Sequence, residues 1–216
     1  MIVLYTVVVP VYNEAEDLER FLKDLRRYAR NIIVVDDGST DRTAEIAQSL
    51  GVHVFSHPCN RGKGAAVMTG LRKAKTEDVI LIDGDGQFFP IEITAFVKKL
   101  KECDLVLGNR FKEGLQMPFH RLVANKLLKL LLPGINVSDP LTGFRALKRS
   151  KFLNLRENGF EHDLEMILLA RRRNLKICEV PVSVTYKTGK KPSFTGLIRK
   201  ISAYTRLVLY SIKRRV

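Results

Sequence analysis

Asp83 and Asp85 stand one residue apart at the end of the run Val79-Ile80-Leu81-Ile82, with Gly84, Gly86 and Gln87 around them. Two carboxylates this close repel each other, and a cation relieves the repulsion. Hard oxygen ligands in small number suit Mg2+ or Mn2+ carrying a phosphate. An ordinary acidic turn explains the same residues, since Asp-Gly is common turn chemistry. Three further stretches carry chemistry. In Val9-Pro10-Val11-Tyr12-Asn13-Glu14, Tyr12 can offer a ring face to a base and Glu14 an acceptor to a base or ribose hydroxyl. Asn13 capping a helix is the structural alternative. In Asp36-Asp37-Gly38-Ser39-Thr40-Asp41, a capped turn explains Gly38 and Asp41 but not the doubled acids. In Asn60-Arg61-Gly62-Lys63-Gly64, exposed backbone N–H groups beside two basic side chains suit an anion. The Lys-Ser/Thr ending and the spacing of a P-loop are missing.

Each of these stretches needs a strand to deliver it. The apolar run before Asp83 reads as a buried strand, placing the acids at the C-terminal edge where open α/β sheets bind ligands. Ile2–Val9, Asn31–Val35, Val52–Ser56, Val79–Ile82 and Asp104–Leu107 read as strands. Glu14–Tyr28, Arg42–Leu50 (capped by Asp41), Lys63–Ala74 and Ile91–Lys101 read as helices between them. This alternation predicts a mostly parallel, Rossmann-like twisted sheet covered by helices on both faces. The second half is less regular. Helices are expected over His120–Leu132, Glu161–Arg172 and Gly196–Ile212, and a short strand over Arg145–Lys148. Lys176–Val184 reads as a strand, and Pro181 within it marks an edge.

Charge divides the chain. Residues 1–110 carry 15 basic and 16 acidic groups, and residues 111–216 carry 22 and 7, so the net of +14 resides in the second half. No acidic residue follows Glu179. A basic half can meet nucleic acid, an anionic membrane or a phosphorylated substrate. Nucleic-acid recognition motifs are absent, so no nucleic-acid partner is expected. Cys59, Cys103 and Cys178 lack metal-ligand spacing, and their odd number without a secretory signal fits a reducing compartment. No stretch reaches the ~18 uncharged apolar residues of a membrane span.

The set PVYNE, DDGSTD, NRGKG and DGDGQ, in this order, resembles the inverting family 2 glycosyltransferases with the GT-A fold. Asp139-Pro140-Leu141-Thr142-Gly143-Phe144-Arg145 looks like that family's D-x-x-S/T-G-F-R stretch. The pattern is closest to the polyprenyl-phosphate sugar synthases of dolichol-phosphate mannose synthase type, and it covers roughly residues 3–193. The resemblance implies a GT-A catalytic domain over 1–193, with a nucleotide-sugar half (1–110) and an acceptor half (111–193). Residues 194–216 would follow as an amphipathic helix. It implies that Pro10, Tyr12, Glu14, Asp36, Asp37, Lys63, Asp83 and Gly84 line the nucleotide-sugar pocket, and that Asp83, Asp85 and Gln87 hold Mg2+ or Mn2+. Asp85, Arg110 and Asp139 are the expected catalytic residues. A metal-bridged diphosphate is a good leaving group, and Arg110, just past a strand, can stabilise its charge.

The implied activity is transfer of a hexose, with a lean to mannose from GDP-mannose, onto a polyprenyl phosphate. UDP-glucose, UDP-N-acetylglucosamine or a sugar-hydroxyl acceptor are the alternatives. A lipid phosphate is already ionised near neutral pH, so it calls for cations rather than a general base. Arg110, Arg121, Lys126, Arg145, Lys187, Lys190 and Lys191 are candidates to bind it. Asp139 remains open as a base, as a partner of Arg145 or as a turn cap. Related enzymes often end this region in an arginine-rich G-x-S-K stretch. Here it reads Tyr186-Lys187-Thr188-Gly189-Lys190-Lys191-Pro192-Ser193, which keeps the charge but not bidentate recognition. On the final helix, Leu197, Ile198, Ile201, Tyr204, Val208, Leu209 and Ile212 share a side opposite Arg199, Lys200, Arg206, Lys213 and Arg214. That pattern suits peripheral binding at the cytoplasmic face of a membrane, alone or with a membrane-protein partner. A helix packed on the core would show the same stripe.

Overall fold

The computed structural model describes residues 4–111, 137–155 and 162–185, together with Leu209. Chain order is β1 (Tyr5–Val11), α1 (Ala15–Leu25), β2 (Asn31–Asp36), α2 (Thr43–Ser49), β3 (His53–Ser56), α3 (Lys63–Lys73) and β4 (Asp78–Leu81). A 3-10 turn (Pro90–Glu92), α4 (Ile93–Lys99) and β5 (Leu105–Asn109) follow. After these come β6 (Arg145–Lys148), α5 (His162–Arg172) and β7 (Ile177–Pro181).

The seven strands form one sheet in the order β3-β2-β1-β4-β6-β5-β7. β6 runs antiparallel to both its neighbours, β4 and β5, and the remaining pairings are parallel. This inversion positions the site. The parallel strands bring their C-terminal ends to one edge, whereas β6 presents its N-terminal end there. Arg145 therefore lies beside both Leu81 of β4 and Leu107 of β5. The Asp139–Phe144 stretch arrives at the acidic turn from the opposite chain direction.

Alternation along β1 separates two cores. Val7, Val9 and Val11 pack with Leu18, Phe21, Leu22 and Leu25 of α1 and with Ile93 and Phe96 of α4. Val8 faces Ala66, Met68 and Leu71 of α3 and Leu164 and Ile167 of α5. Each fully buried aliphatic or aromatic side chain contributes roughly 1.5–3 kcal/mol, so the four residues of α1 spaced three and four apart suffice to dock that helix.

Among the described residues the expected elements form, mostly with shorter or shifted boundaries. The last strand spans Ile177–Pro181 and does lie at the sheet edge. Asn13 does not cap α1. It sits at φ 55°, and its side chain reaches across to accept from the Thr40 N–H at 2.8 Å. Asp41 accepts from the N–H groups of Thr43 (3.0 Å) and Ala15 (3.3 Å), tying the starts of α2 and α1 together.

The odd cysteine count reads as fitting a reducing compartment, yet two of the three thiols are joined. Cys103 and Cys178, 75 positions apart, form a disulfide, because β5 and β7 are neighbours. Cys59 is free and exposed. The expected helices at 120–132 and 196–212 lie outside the described residues, as do Arg121, Lys126, Lys187, Lys190 and Lys191. No helix among the described residues is long and apolar enough to cross a membrane.

Candidate active site

Asp83 lies two residues beyond the end of β4, on the turn that continues through Gly84, Asp85 and Gly86. The Asp85 carboxylate accepts from the Gln87 N–H at 3.0 Å, which closes the turn. The next segment is pinned from the far side: the Gln87 carbonyl accepts from Thr185 N–H at 2.9 Å, and Phe88 bridges to Val184. Gly143 backs directly onto Asp83. A Cβ at position 143 would fall 1.9 Å from Asp83 Oδ2, so only glycine allows this approach. The T-G-F stretch therefore forms the rear wall of the carboxylate turn.

The Lys63 ammonium reaches Asp83 Oδ1 at 2.7 Å and Asp163 Oδ2 at 3.9 Å. Burial alone would lower the Lys63 pKa, but Asp83 and Asp163 outweigh it and hold the amine above its ordinary value. Burial likewise pushes Asp163 up. Arg145, His162 and Lys63 together overcome that and hold its carboxyl below the usual range. Asp163 was not anticipated from sequence. Its only signal was an acid in the first turn of an otherwise buried helix face.

Asp36 and Asp37 part company. Asp36 accepts from Ser39 N–H at 3.2 Å and from the Ser39 hydroxyl, shaping its own loop. Asp37 is buried and accepts from the Arg61 N–H (3.0 Å) and the Gly62 N–H (2.7 Å). His57 Nδ1 lies 2.7 Å from the same carboxylate, and His57 Nε2 lies 2.9 Å from the Thr69 hydroxyl. The expectation that the Asn60–Gly64 loop offers its N–H groups to a ligand anion is thus corrected. The anion at these two amides is Asp37 itself, and the loop's contribution to the site is Lys63.

Arg110 and Asp139 form a buried bidentate pair, with Nε–Oδ2 at 2.5 Å and Nη2–Oδ1 at 2.8 Å. Arg110 also donates to the Leu141 carbonyl at 3.2 Å. Asp139 holds Arg110 and not Arg145. A carboxylate with both oxygens held by one guanidinium is a poor general base. Arg145 is fully buried and donates to the carbonyls of Thr142 (2.9 Å), Pro140 (2.8 Å) and Asp163 (2.7 Å). It also pairs with the Asp163 carboxylate at 3.1 Å. It brackets the Asp139–Phe144 turn from behind, which corrects its assignment to an acceptor phosphate. Tyr12 is exposed, and Glu14 is half-buried at the start of α1, where its N–H donates to the Thr43 hydroxyl at 2.8 Å.

The donor set at the acidic turn is two carboxylates and an amide, all oxygen and all half-exposed. Among the described residues no group of three or more His, Cys, Asp or Glu side chains gathers as a cage. A site with few protein oxygens fits a cation such as Mg2+ or Mn2+ that keeps waters and binds phosphate oxygens.

An open α/β sheet carrying a carboxylate turn past β4, with an inverted strand set between β4 and β5, is the architecture of a GT-A transferase. The chain belongs to glycosyl transferase family 2, whose model matches residues 6–156. It is 29% identical to a dolichyl-phosphate beta-glucosyltransferase of Trichomonas vaginalis, over 99% of this chain and 77% of that protein. It is 29% identical to a UDP-N-acetylglucosamine–dolichyl-phosphate N-acetylglucosaminyltransferase of Methanococcus voltae, over 95% of each. It is 31% identical to a dolichol-phosphate mannosyltransferase of Pyrococcus furiosus, over 96% of this chain and 63% of that protein. Among solved structures, glucosyl-3-phosphoglycerate synthase from Mycobacterium tuberculosis, in complex with Mn2+, UDP-glucose and phosphoglyceric acid, superposes with a TM-score of 0.78. That likeness covers 97% of this chain and 78% of the synthase at 23% identity, and it speaks for the fold.

Proposed function

We propose that the chain transfers a hexose from a nucleotide sugar to a polyprenyl phosphate of dolichyl type, with inversion at the anomeric carbon, as a peripheral protein on the cytoplasmic face of a membrane. One observation carries the acceptor: the three relatives differ in sugar (glucose, N-acetylglucosamine, mannose) but share dolichyl phosphate in their names. The basic second half of the chain supports the same class of acceptor.

In this reading Asp83, Asp85 and Gln87 would hold the divalent cation. Such a cation supplies Lewis-acid stabilisation of charge on the leaving diphosphate, and the Mycobacterium synthase was crystallised with Mn2+. Tyr12, Glu14 and Asp36 surround the nucleoside. Lys63 adds fixed positive charge beside Asp83. An acceptor phosphate oxygen attacks the anomeric carbon while the bond to the diphosphate breaks and its electron pair leaves with the nucleoside diphosphate. No proton must be removed, which agrees with Asp139 serving as a partner for Arg110. Lys187, Lys190 and Lys191 supply cations for the attacking phosphate.

The test is a donor screen with labelled GDP-mannose, UDP-glucose and UDP-N-acetylglucosamine, Mg2+ or Mn2+, and a short polyprenyl phosphate. GDP-mannose is the first donor to try. Lipid-extractable label with one donor is expected. Label passing only to a water-soluble sugar would overturn the acceptor. Asp85→Asn should reduce transfer at least ~10³-fold with an unchanged circular dichroism spectrum. Retained activity there would sink the metal assignment.

A further inference from the structure

Glu179 is an acid in an otherwise uncharged edge strand, and its carboxylate is fully engaged. Oε1 accepts from the N–H groups of Ser138 (2.6 Å) and Asp139 (3.3 Å). Oε2 accepts from the Ser138 hydroxyl (2.8 Å) and the Asn109 side-chain amide (3.5 Å). Asn109 immediately precedes Arg110, and Ser138 immediately precedes Asp139. One carboxylate thus grips the residue before each member of the buried Arg110–Asp139 pair. The Asn109 side-chain oxygen in turn accepts from Phe111 N–H at 2.9 Å, so the backbone is held on both sides of Arg110. The sheet supplies the lever: β7 pairs with β5 in register Leu107↔Glu179 and Asn109↔Pro181, and the Cys178 disulfide anchors the adjacent residue to the start of β5.

We infer that Glu179 is a positioning residue for glycosyl transfer, orienting the Arg110–Asp139 pair by clamping the backbone that leads into each partner. A bidentate guanidinium–carboxylate contact tolerates little displacement of either backbone. The pair also belongs to a longer series of charges, because Arg110 acts on Asp163, which meets Lys63, which meets Asp83. A shift at Ser138 or Asn109 therefore displaces Arg110 and Asp139 themselves, without Glu179 touching substrate and with the carboxylate turn left in place. This rests on the transfer reaction proposed above, using whichever donor the screen identifies.

The experiment compares wild type, Glu179→Gln and Glu179→Ala for kcat, donor KM and binding of the nucleoside diphosphate with Mn2+ by calorimetry. Glu179→Gln is then combined with Asp139→Asn. The expected result is a kcat at least ~10-fold lower in Glu179→Gln, with donor KM and diphosphate Kd within about twofold of wild type. The double variant should be no slower than Asp139→Asn alone, because both changes disable one unit. Wild-type kcat in Glu179→Gln would overturn the proposal, as would losses that multiply in the double variant. Should Glu179→Ala fail to fold, the Gln variant still decides. If wild type transfers no sugar to lipid, the proposed function fails. If wild type is active and Glu179→Gln is equally active, only the positioning role fails.

Discussion

The Lys63 ammonium lies 2.7 Å from Asp83 Oδ1, joining the start of α3 to the acidic turn beyond β4, and it reaches Asp163 of α5 at 3.9 Å. Three elements from distant parts of the chain thus converge on one cation. Together with Arg145–Asp163 and Arg110–Asp139, this makes an alternating series of charges along the edge where the parallel strands end. Buried ions in such a series are tolerable because each has an opposite neighbour, and removing one leaves its partner uncompensated.

The series predicts a stability plateau. The Asp163 carboxyl is held below its ordinary value when folded, so its contribution is complete above the ordinary carboxylate pKa of about 4 and is lost as pH falls through the folded value. Lys63 is held above its ordinary value, so its contribution is complete below about pH 10 and is lost as pH rises through the folded value. Urea midpoints should be flat between about pH 5 and 9 and fall on the acid side. Asp163→Asn should lower the plateau and flatten that acid limb. An unchanged acid limb in the variant would contradict the assignment.

Gly143→Ala tests the rear wall. The added methyl would collide with the Asp83 carboxylate, so that side chain, the turn or the wall must move. Overpacking of this kind costs about 1–3 kcal/mol. The loss in Mn2+-dependent nucleotide binding should be at least ~10-fold, read by calorimetry. Wild-type binding in this variant would show that the wall at Gly143 does not set the Asp83 position that nucleotide binding needs.

Asp139 distinguishes a base from a strut. Asp139→Asn leaves Arg110 buried without its charge partner and should cost about 3–5 kcal/mol in chemical denaturation. The double change Arg110→Met with Asp139→Leu should recover most of that stability and none of the activity. A general base would behave otherwise: Asp139→Asn would remove the acidic limb of the kcat/KM profile and leave stability near wild type.

Reduction of Cys103–Cys178 opens a loop of 75 positions. Loop-closure entropy for that length is about 4 kcal/mol as an upper value. Denaturation with and without dithiothreitol should show a lower midpoint in the reduced protein. A Cys103→Ala variant should match the reduced protein and not respond to the reagent. Identical midpoints in all samples would argue against the bridge.

Much of the fold was legible because it rests on local pattern. The spacing Leu18, Phe21, Leu22, Leu25 is that of one helix face, and all four are buried on the sheet. The run into Asp83 reads as a strand because four successive apolar residues, too few for a helix and bounded by turn-forming Asp-Gly, fit a strand buried on both faces. What was misread depended on partners far along the chain. Asp37 reads in the sequence as a ligand-facing acid, yet its partners lie 20 to 25 residues away in His57, Arg61 and Gly62. Glu179 carried no local signal at all, because its role appears only when β7 lies beside β5.

The sequence alone carried the local pattern: the spacing of Asp83, Asp85 and Gln87 at the end of an apolar run and the basic second half require no structure to be read. The tertiary structure decided the pairing of charges. Coulomb attraction depends on distance in space, and it was the inverted strand β6 that turned Arg145 inward, set Gly143 against Asp83 and left Arg110 facing Asp139.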